Sequence, residues 1–234
     1  MNSLFRVILI AVAALGSTHA VAHSMDDVEA SLNEKERYAQ FVDQPAPPFD
    51  LTDTDDNTLS LDDLNGKTIV LNFLYTRCTE ACPLHMNLIR QLQTGVKEEG
   101  LSEKVIFITI ATDREDIAGT RENMRDYGEN FDLNPRNWRF LYRAKGESPG
   151  LTSELAKAYG VQFTDTGEGV QVHGVVTHVI DPAGRMRARF HGLKFQPEHL
   201  VTYLKAIAIG PNAAADDGFW SRLHGRIEGL MRGE

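Results

Sequence analysis

The sequence predicts an α/β fold with a central mixed sheet, flanking helices, an N-terminal hairpin and a C-terminal helical tail. Three observations predict it. Residues 68–75 (TIVLNFLY) and 105–111 (VIFITIA) are nearly continuous apolar runs of strand length, as strands buried on both faces require. Each run is followed by a segment of helical periodicity, so a βαβα alternation with a parallel pairing results. Near the end, residues 175–180 and 186–190 flank Asp181-Pro182-Ala183-Gly184, whose residue types suit a type I turn, and this predicts a hairpin.

Taken in order, residues 23–48 form a polar lead-in, helix-compatible over 26–41 and then extended through Pro45-Ala46-Pro47-Pro48. The compact domain is expected from 49 to 209. Residues 49–52 and 58–61, separated by the polar turn 53–57, read as a small hairpin. After the first buried strand, residues 83–97 place Leu88, Ile89, Leu92 and Val96 on one helical face, with Pro83 suited to the first turn. The second strand leads to a helix over 116–127. A third strand is expected at 138–142, a short helix at 152–159 that stops at Gly160, and a closing helix at 197–209 ended by Pro211. Residues 210–234 form a tail in which Phe219, Trp220, Leu223, Ile227, Leu230 and Met231 recur at helical spacing. A terminal helix docked on the domain accounts for them more simply than a surface-associated one.

Of the 234 residues, 24 are Lys or Arg and 33 Asp or Glu, a net charge of −9 with no run of basic residues. Nucleic-acid binding is therefore a poor reading. Residues 1–22 have a secretory layout: Arg6 precedes the apolar run 7–15, and small residues follow, with Ala20 or Ala22 ending the cleavage site. The run is shorter than the ~18–20 residues needed to span a bilayer. Export with cleavage is favoured; left uncleaved, the segment tethers a domain that still faces the exported side, periplasmic or otherwise.

Export gives meaning to the two cysteines, Cys78 and Cys82, because paired thiols in an oxidising compartment close to a disulfide unless reduced or occupied by metal. Two cysteines exclude a multi-bridge scaffold and a four-cysteine zinc site. The pair lies between a buried strand and a helix, at the sheet edge where α/β folds bind ligands. Helix N-terminal amides favour thiolate there, and Arg77 is expected to add to this. A structural staple is the bland alternative, but a bridge closing so short a loop removes little unfolded-state entropy.

Two thiolates are soft donors suited to Cu(I), and a third ligand would complete the site. Eight histidines are available. His19 lies in the leader, His191 and His199 flank the last strand and helix, and His224 is in the tail. His85, three residues after Cys82 on the same helix, could approach the site from below but reads as a helix-surface or packing residue. His23 would begin the mature chain if cleavage follows Ala22. His178 falls inside a buried strand, where a satisfied core histidine is the ordinary outcome. His173, in the Gly- and Asp-rich loop 164–174, is the better ligand by position.

At this point the chain resembles the SCO/SenC family of thioredoxin-like copper proteins. The resemblance covers about residues 46–209. It rests on Gly66-Lys67, on Asn72 to Cys78 with the C-x-x-x-C-P pair, and on His173 standing a fixed distance before Val179-Ile180-Asp181-Pro182-Ala183-Gly184. The family often has a D-P-x-x-D-like segment where this chain reads Ala111-Thr112-Asp113-Arg114-Glu115-Asp116, and a Ser, Thr or Asn where Gly174 stands. The resemblance implies a thioredoxin fold, a copper site of Cys78, Cys82 and His173, and copper delivery to, or maturation of, the CuA centre of cytochrome c oxidase. Implied partners are the oxidase subunit carrying CuA and a thiol reductant or another copper carrier. The competing function is a metal-free thiol-disulfide oxidoreductase in which Cys78 attacks and Cys82 resolves. A thiol peroxidase is a weaker third reading, and a purely structural module the bland one.

Overall fold

The computed structural model describes residues 24–114, 117–165 and 171–211, with the backbone alone at 117, 164, 165 and 171–173. The leader 1–22 and nearly all of the tail 210–234 lie outside the described residues. Among the described residues ten strands and five α-helices follow the order α1 (Met25–Lys35), β1 (Ala39–Pro45), β2 (Asp50–Asp53), β3 (Thr58–Ser60), β4 (Thr68–Leu74), α2 (Ala81–Glu98), β5 (Val105–Ala111), α3 (Ile117–Asn130), β6 (Trp138–Tyr142), α4 (Leu151–Ala158), β7 (Phe163–Asp165), β8 (Gln171–His173), β9 (Val176–Ile180), β10 (Arg185–His191) and α5 (Pro197–Ile209).

Eight strands form one mixed sheet in the order β1-β10-β9-β4-β5-β6-β2-β3. Its centre is parallel, β4 beside β5 and β5 beside β6, and β9 joins β4 antiparallel. The sequence expectation of a mixed sheet with flanking helices holds. Alternation along the strands divides the core. Val70, Leu74, Phe107 and Ala111 face α1, α2, α3 and α5, while Leu71, Phe73, Ile108 and Ile110 face Tyr159 and Ala156 of the α4 segment and the N-terminal hairpin. All seven residues of β4 are buried, which is why that run carries no polar alternation.

The β9–β10 hairpin closes as its sequence demands. Asp181 Oδ1 accepts from the amides of Ala183 and Arg185 at 3.0 and 2.9 Å, and Gly184 takes φ +75°, a region closed to most side chains.

Two segments depart from the sequence expectation. The helix expected over 26–41 stops at Lys35, and residues 39–45 become β1, paired antiparallel to β10. Helix α1 starts at a capping box, Ser24 and Asp27 each accepting from the other's backbone N–H. Beyond Glu36 the open edge of β10 provides partners for the backbone, and Phe41 packs edge-on against Phe190 and Tyr203. Tertiary pairing thus overrides a helix-compatible composition, and residues expected as a lead-in cover the sheet, with Val28 and Leu32 in its core. The second departure is the expected loop 164–174. It holds a two-stranded ribbon, β7 with β8, in which Phe163 pairs with His173.

Candidate thiol and metal site

The site begins where β4 ends. Residues 75–80 carry the chain from the sheet edge to the start of α2, and three neighbours hold this turn in place. Asp113, just beyond β5, accepts from the Thr76 amide at 3.0 Å and from the Thr76 hydroxyl at 2.7 Å. Asn123 of α3 donates to Thr76 Oγ1 at 3.1 Å, and Tyr127 of the same helix donates to the Cys78 carbonyl at 3.1 Å. The Cys78 amide donates back to the Tyr75 carbonyl at 3.0 Å.

The two cysteines are not joined by a disulfide. Cys78 is half-buried, whereas Cys82, on the inner face of the first turn of α2, is buried. The Cys82 amide points at Cys78 Sγ, 3.4 Å away. The two environments push the thiols apart. Burial opposes the Cys78 thiolate, but hydrogen bonds from the Cys82 thiol and from the amides of Cys82, Glu80 and Ala81 outweigh it, and its pKa falls below the ordinary thiol value. Burial dominates at Cys82, the bond it gives to Cys78 adds to it, and its pKa rises far above the ordinary value. A half-buried sulfur that favours the thiolate thus stands one turn from a buried one that favours the thiol.

The helix-start amides act as the sequence reading expects. The Arg77 guanidinium lies over the Tyr75 ring, 5.3 Å from the centroid, and its charge favours the Asp113 carboxylate. Burial raises the Asp113 carboxyl above the usual range, with the bonds from Thr76 pulling the other way.

The histidines sort clearly. His85 is buried on α2 with Nε2 2.9 Å from the Thr177 hydroxyl, and so is a packing residue. His178 is fully buried, its Nδ1 3.3 Å from the Leu71 carbonyl and its Nε2 3.0 Å from the Tyr159 carbonyl. Both partners are carbonyl oxygens, which only accept, so the neutral ring donates to one of them at a time. His191 meets Gln40 at 3.4 Å and His199 meets Glu36 at 2.5 Å. His19, His23 and His224 lie outside the described residues. His173 is placed by its backbone at the end of β8 and not in a loop. Among the described residues no group of three or more His, Cys, Asp or Glu side chains is arranged to hold a metal; the His173 side chain is not among them.

The SCO1/SenC family profile matches residues 37–208. The chain belongs to this family. Among curated members, a SCO1 protein homolog of Bacillus subtilis is 23% identical over 152 residues, 64% of this chain and 75% of that one. The thiol-disulfide oxidoreductase ResA of Bacillus thuringiensis is 30% identical over 114 residues, covering 49% of this chain and 62% of the relative. Among solved structures, a SCO1/SenC family lipoprotein from Bacillus anthracis superposes with TM-score 0.64 at 22% identity, over 72% of this chain and 98% of that one. The copper-bound structure of ScoI from Bradyrhizobium japonicum gives TM-score 0.56 at 26% identity, over 70% and 99%. The fold of this SCO1/SenC protein is thioredoxin-like.

Sequence reasoning missed Asp113, Asn123 and Tyr127 as supports of the cysteine turn. Asp113 carried a signal, since a carboxylate directly after a buried parallel strand reaches the same sheet edge as Cys78. Asn123 and Tyr127 carried a weaker one, sharing an inner face of α3 at a spacing of four.

Proposed function

We propose that this SCO1/SenC protein is an exported copper carrier that binds Cu(I) through the thiolates of Cys78 and Cys82 with His173 as third ligand, and delivers it to, or matures, the CuA site of cytochrome c oxidase. The observation that carries the proposal is the asymmetric dithiol at the start of α2, one thiol half-buried and the other buried. It supplies soft donors matched to Cu(I), in a family member whose structural relatives include copper-bound ScoI and BsSco, described as one of the Sco family of cytochrome c oxidase assembly proteins with a disulfide switch. Copper is cargo here. Binding displaces the Cys82 proton, so affinity rises with pH. Closure of Cys78 and Cys82 to a disulfide removes both sulfur donors, and a thiol reductant on the exported side is then a required partner. Residues 1–22 serve as the export signal or tether.

A second reading is supported by the same asymmetry and by the ResA relative. The Cys78 thiolate attacks one sulfur of a partner disulfide and the other leaves as thiolate. Cys82 then loses its proton and attacks Cys78 Sγ, releasing the partner as a dithiol and leaving the Cys78–Cys82 disulfide. Two electrons pass from the pair to the partner.

Competition titration with a Cu(I) chromophore tests the proposal. The reduced protein takes up one copper, the disulfide form takes up none, and the Cys78→Ser/Cys82→Ser variant takes up none. A reduced protein that competes no better than that variant refutes copper binding and leaves the reductase reading.

A further inference from the structure

His85 and His178, buried on opposite faces of the sheet, bond Thr177 and Tyr159, each four residues from an end of the β7–β8 ribbon that carries His173. Thr177 and His178 are adjacent on β9 and point to opposite faces of the sheet. On one face the Thr177 hydroxyl meets His85 Nε2 at 2.9 Å, both groups fully buried beneath α2. His85 is three residues beyond Cys82 on the same helix, so this bond ties the cysteine helix directly to β9. On the other face His178 Nε2 meets the Tyr159 carbonyl at 3.0 Å. Tyr159 precedes Phe163 by four residues, and Thr177 follows His173 by four; Phe163 and His173 are the paired residues of the β7–β8 ribbon. Each of these two roots, Tyr159 and Thr177, is therefore no more than about 14 Å of extended chain from the ribbon residue it supports. The link on the His173 side is shortened further, because the Val175 carbonyl accepts from the Gly192 amide at 2.7 Å.

We propose that the His85–Thr177 hydrogen bond is a positioning device for the copper site: it sets the root of the β7–β8 ribbon against the helix that bears Cys82, and so fixes the reach of His173 to the two sulfurs. The inference rests on the three-ligand reading above. A directional bond is what this task requires. An apolar pair of the same volume would fill the space under α2 and would let the helix slide against β9, whereas donor and acceptor at 2.9 Å fix its register. The neighbouring polar groups reinforce the same point: Asn72, paired with Thr177 across β4 and β9, receives the Thr109 hydroxyl at 2.9 Å and presents its amide to Met86 Sδ, next to His85, at 3.8 Å.

X-ray absorption of the Cu(I)-loaded protein, with Cu(I) affinity by competition, tests the device. The wild type shows two sulfurs and one nitrogen, and His173→Ala loses the nitrogen. Thr177→Val keeps both sulfurs, weakens or loses the nitrogen, and holds copper about five- to tenfold more weakly, the worth of one hydrogen bond. Thr177→Ser restores the wild-type spectrum. His85→Leu reproduces Thr177→Val, and combining them adds nothing, since one bond is broken by either; if one variant fails to fold, the other carries the test. An intact nitrogen and unchanged affinity in Thr177→Val overturns the inference while leaving the ligand assignment standing. So does a loss of affinity as large in a His173→Ala background, because the bond would then act on the cysteines alone. A wild-type spectrum without nitrogen overturns the three-ligand reading, and the device with it.

Discussion

His178 makes acid stability a direct reporter of the core. It is fully buried between Phe73 and Tyr159, and burial, which outweighs the bonds to Tyr159 and Leu71, holds its pKa at about 4 against an ordinary value of 6.5. The folded protein therefore keeps it neutral where the unfolded chain takes up a proton. Stability falls as pH drops from 6.5 towards 4 and changes no further, for this residue, below that. Between pH 7 and pH 5 the loss works out at roughly 2 kcal/mol, and below pH 4 at roughly 3 kcal/mol, using 1.36 kcal/mol for each unit of difference. Urea unfolding of wild type and His178→Phe at both pH values isolates the effect, because every other titrating group, Asp113 and His191 included, is common to the two proteins. The variant starts less stable, but its stability should fall by about 2 kcal/mol less over the same interval. Equal slopes for the two proteins would refute a buried neutral imidazole at this position.

Three further outcomes follow from the packing and the thiols. Gly95→Ala places a Cβ 2.8 Å from Val201 Cγ2, where α2 meets α5; overpacking of about 1–3 kcal/mol exceeds a helix-propensity gain of about 1, so chemical denaturation should show a net loss of about 1 kcal/mol. Asp113→Ala leaves the buried Thr76 amide without its acceptor and should cost about 2 kcal/mol in the same measurement, whereas a neutral result would mean that the cysteine turn is not anchored there. In the reduced protein Cys78 should be alkylated about tenfold or more faster than Cys82 by mass spectrometry, and the reverse order would contradict the assigned thiol asymmetry.

The elements most legible in the sequence are those whose signal is local. The runs at β4 and β5, the periodic face of α2 and the Asp-Pro-Ala-Gly turn each specify their own structure, and the closing helix 197–209 is found with the same bounds. The cysteine junction was legible for the same reason, as a strand end and a helix start within a few residues. What could not be read depends on distant partners. Strand β1 exists because β10 has an open edge, a fact of topology that no property of residues 39–45 announces. The β7–β8 ribbon is built from short polar strands whose composition is that of a loop. Asp113 and Thr76 lie far apart in the chain and meet only because β4 and β5 are parallel neighbours ending at the same edge. His85 could be read as a helix-surface or packing residue and His178 as a core residue of its strand, and both are buried, but which neighbour each one bonds is a three-dimensional fact.

If Cys78 and Cys82 carry copper to CuA, the metal must pass from this protein to the CuA domain. The protein loaded with one Cu(I) is mixed with the reduced, metal-free CuA domain of a cytochrome c oxidase subunit in the presence of a Cu(I) chelator, and metal acquired by the domain is followed by its absorption after oxidation. The account predicts that the loaded wild type fills the site, and that the Cys78→Ser/Cys82→Ser variant supplied with the same copper does not. Equal filling from that variant, or no filling from the loaded wild type, would contradict it.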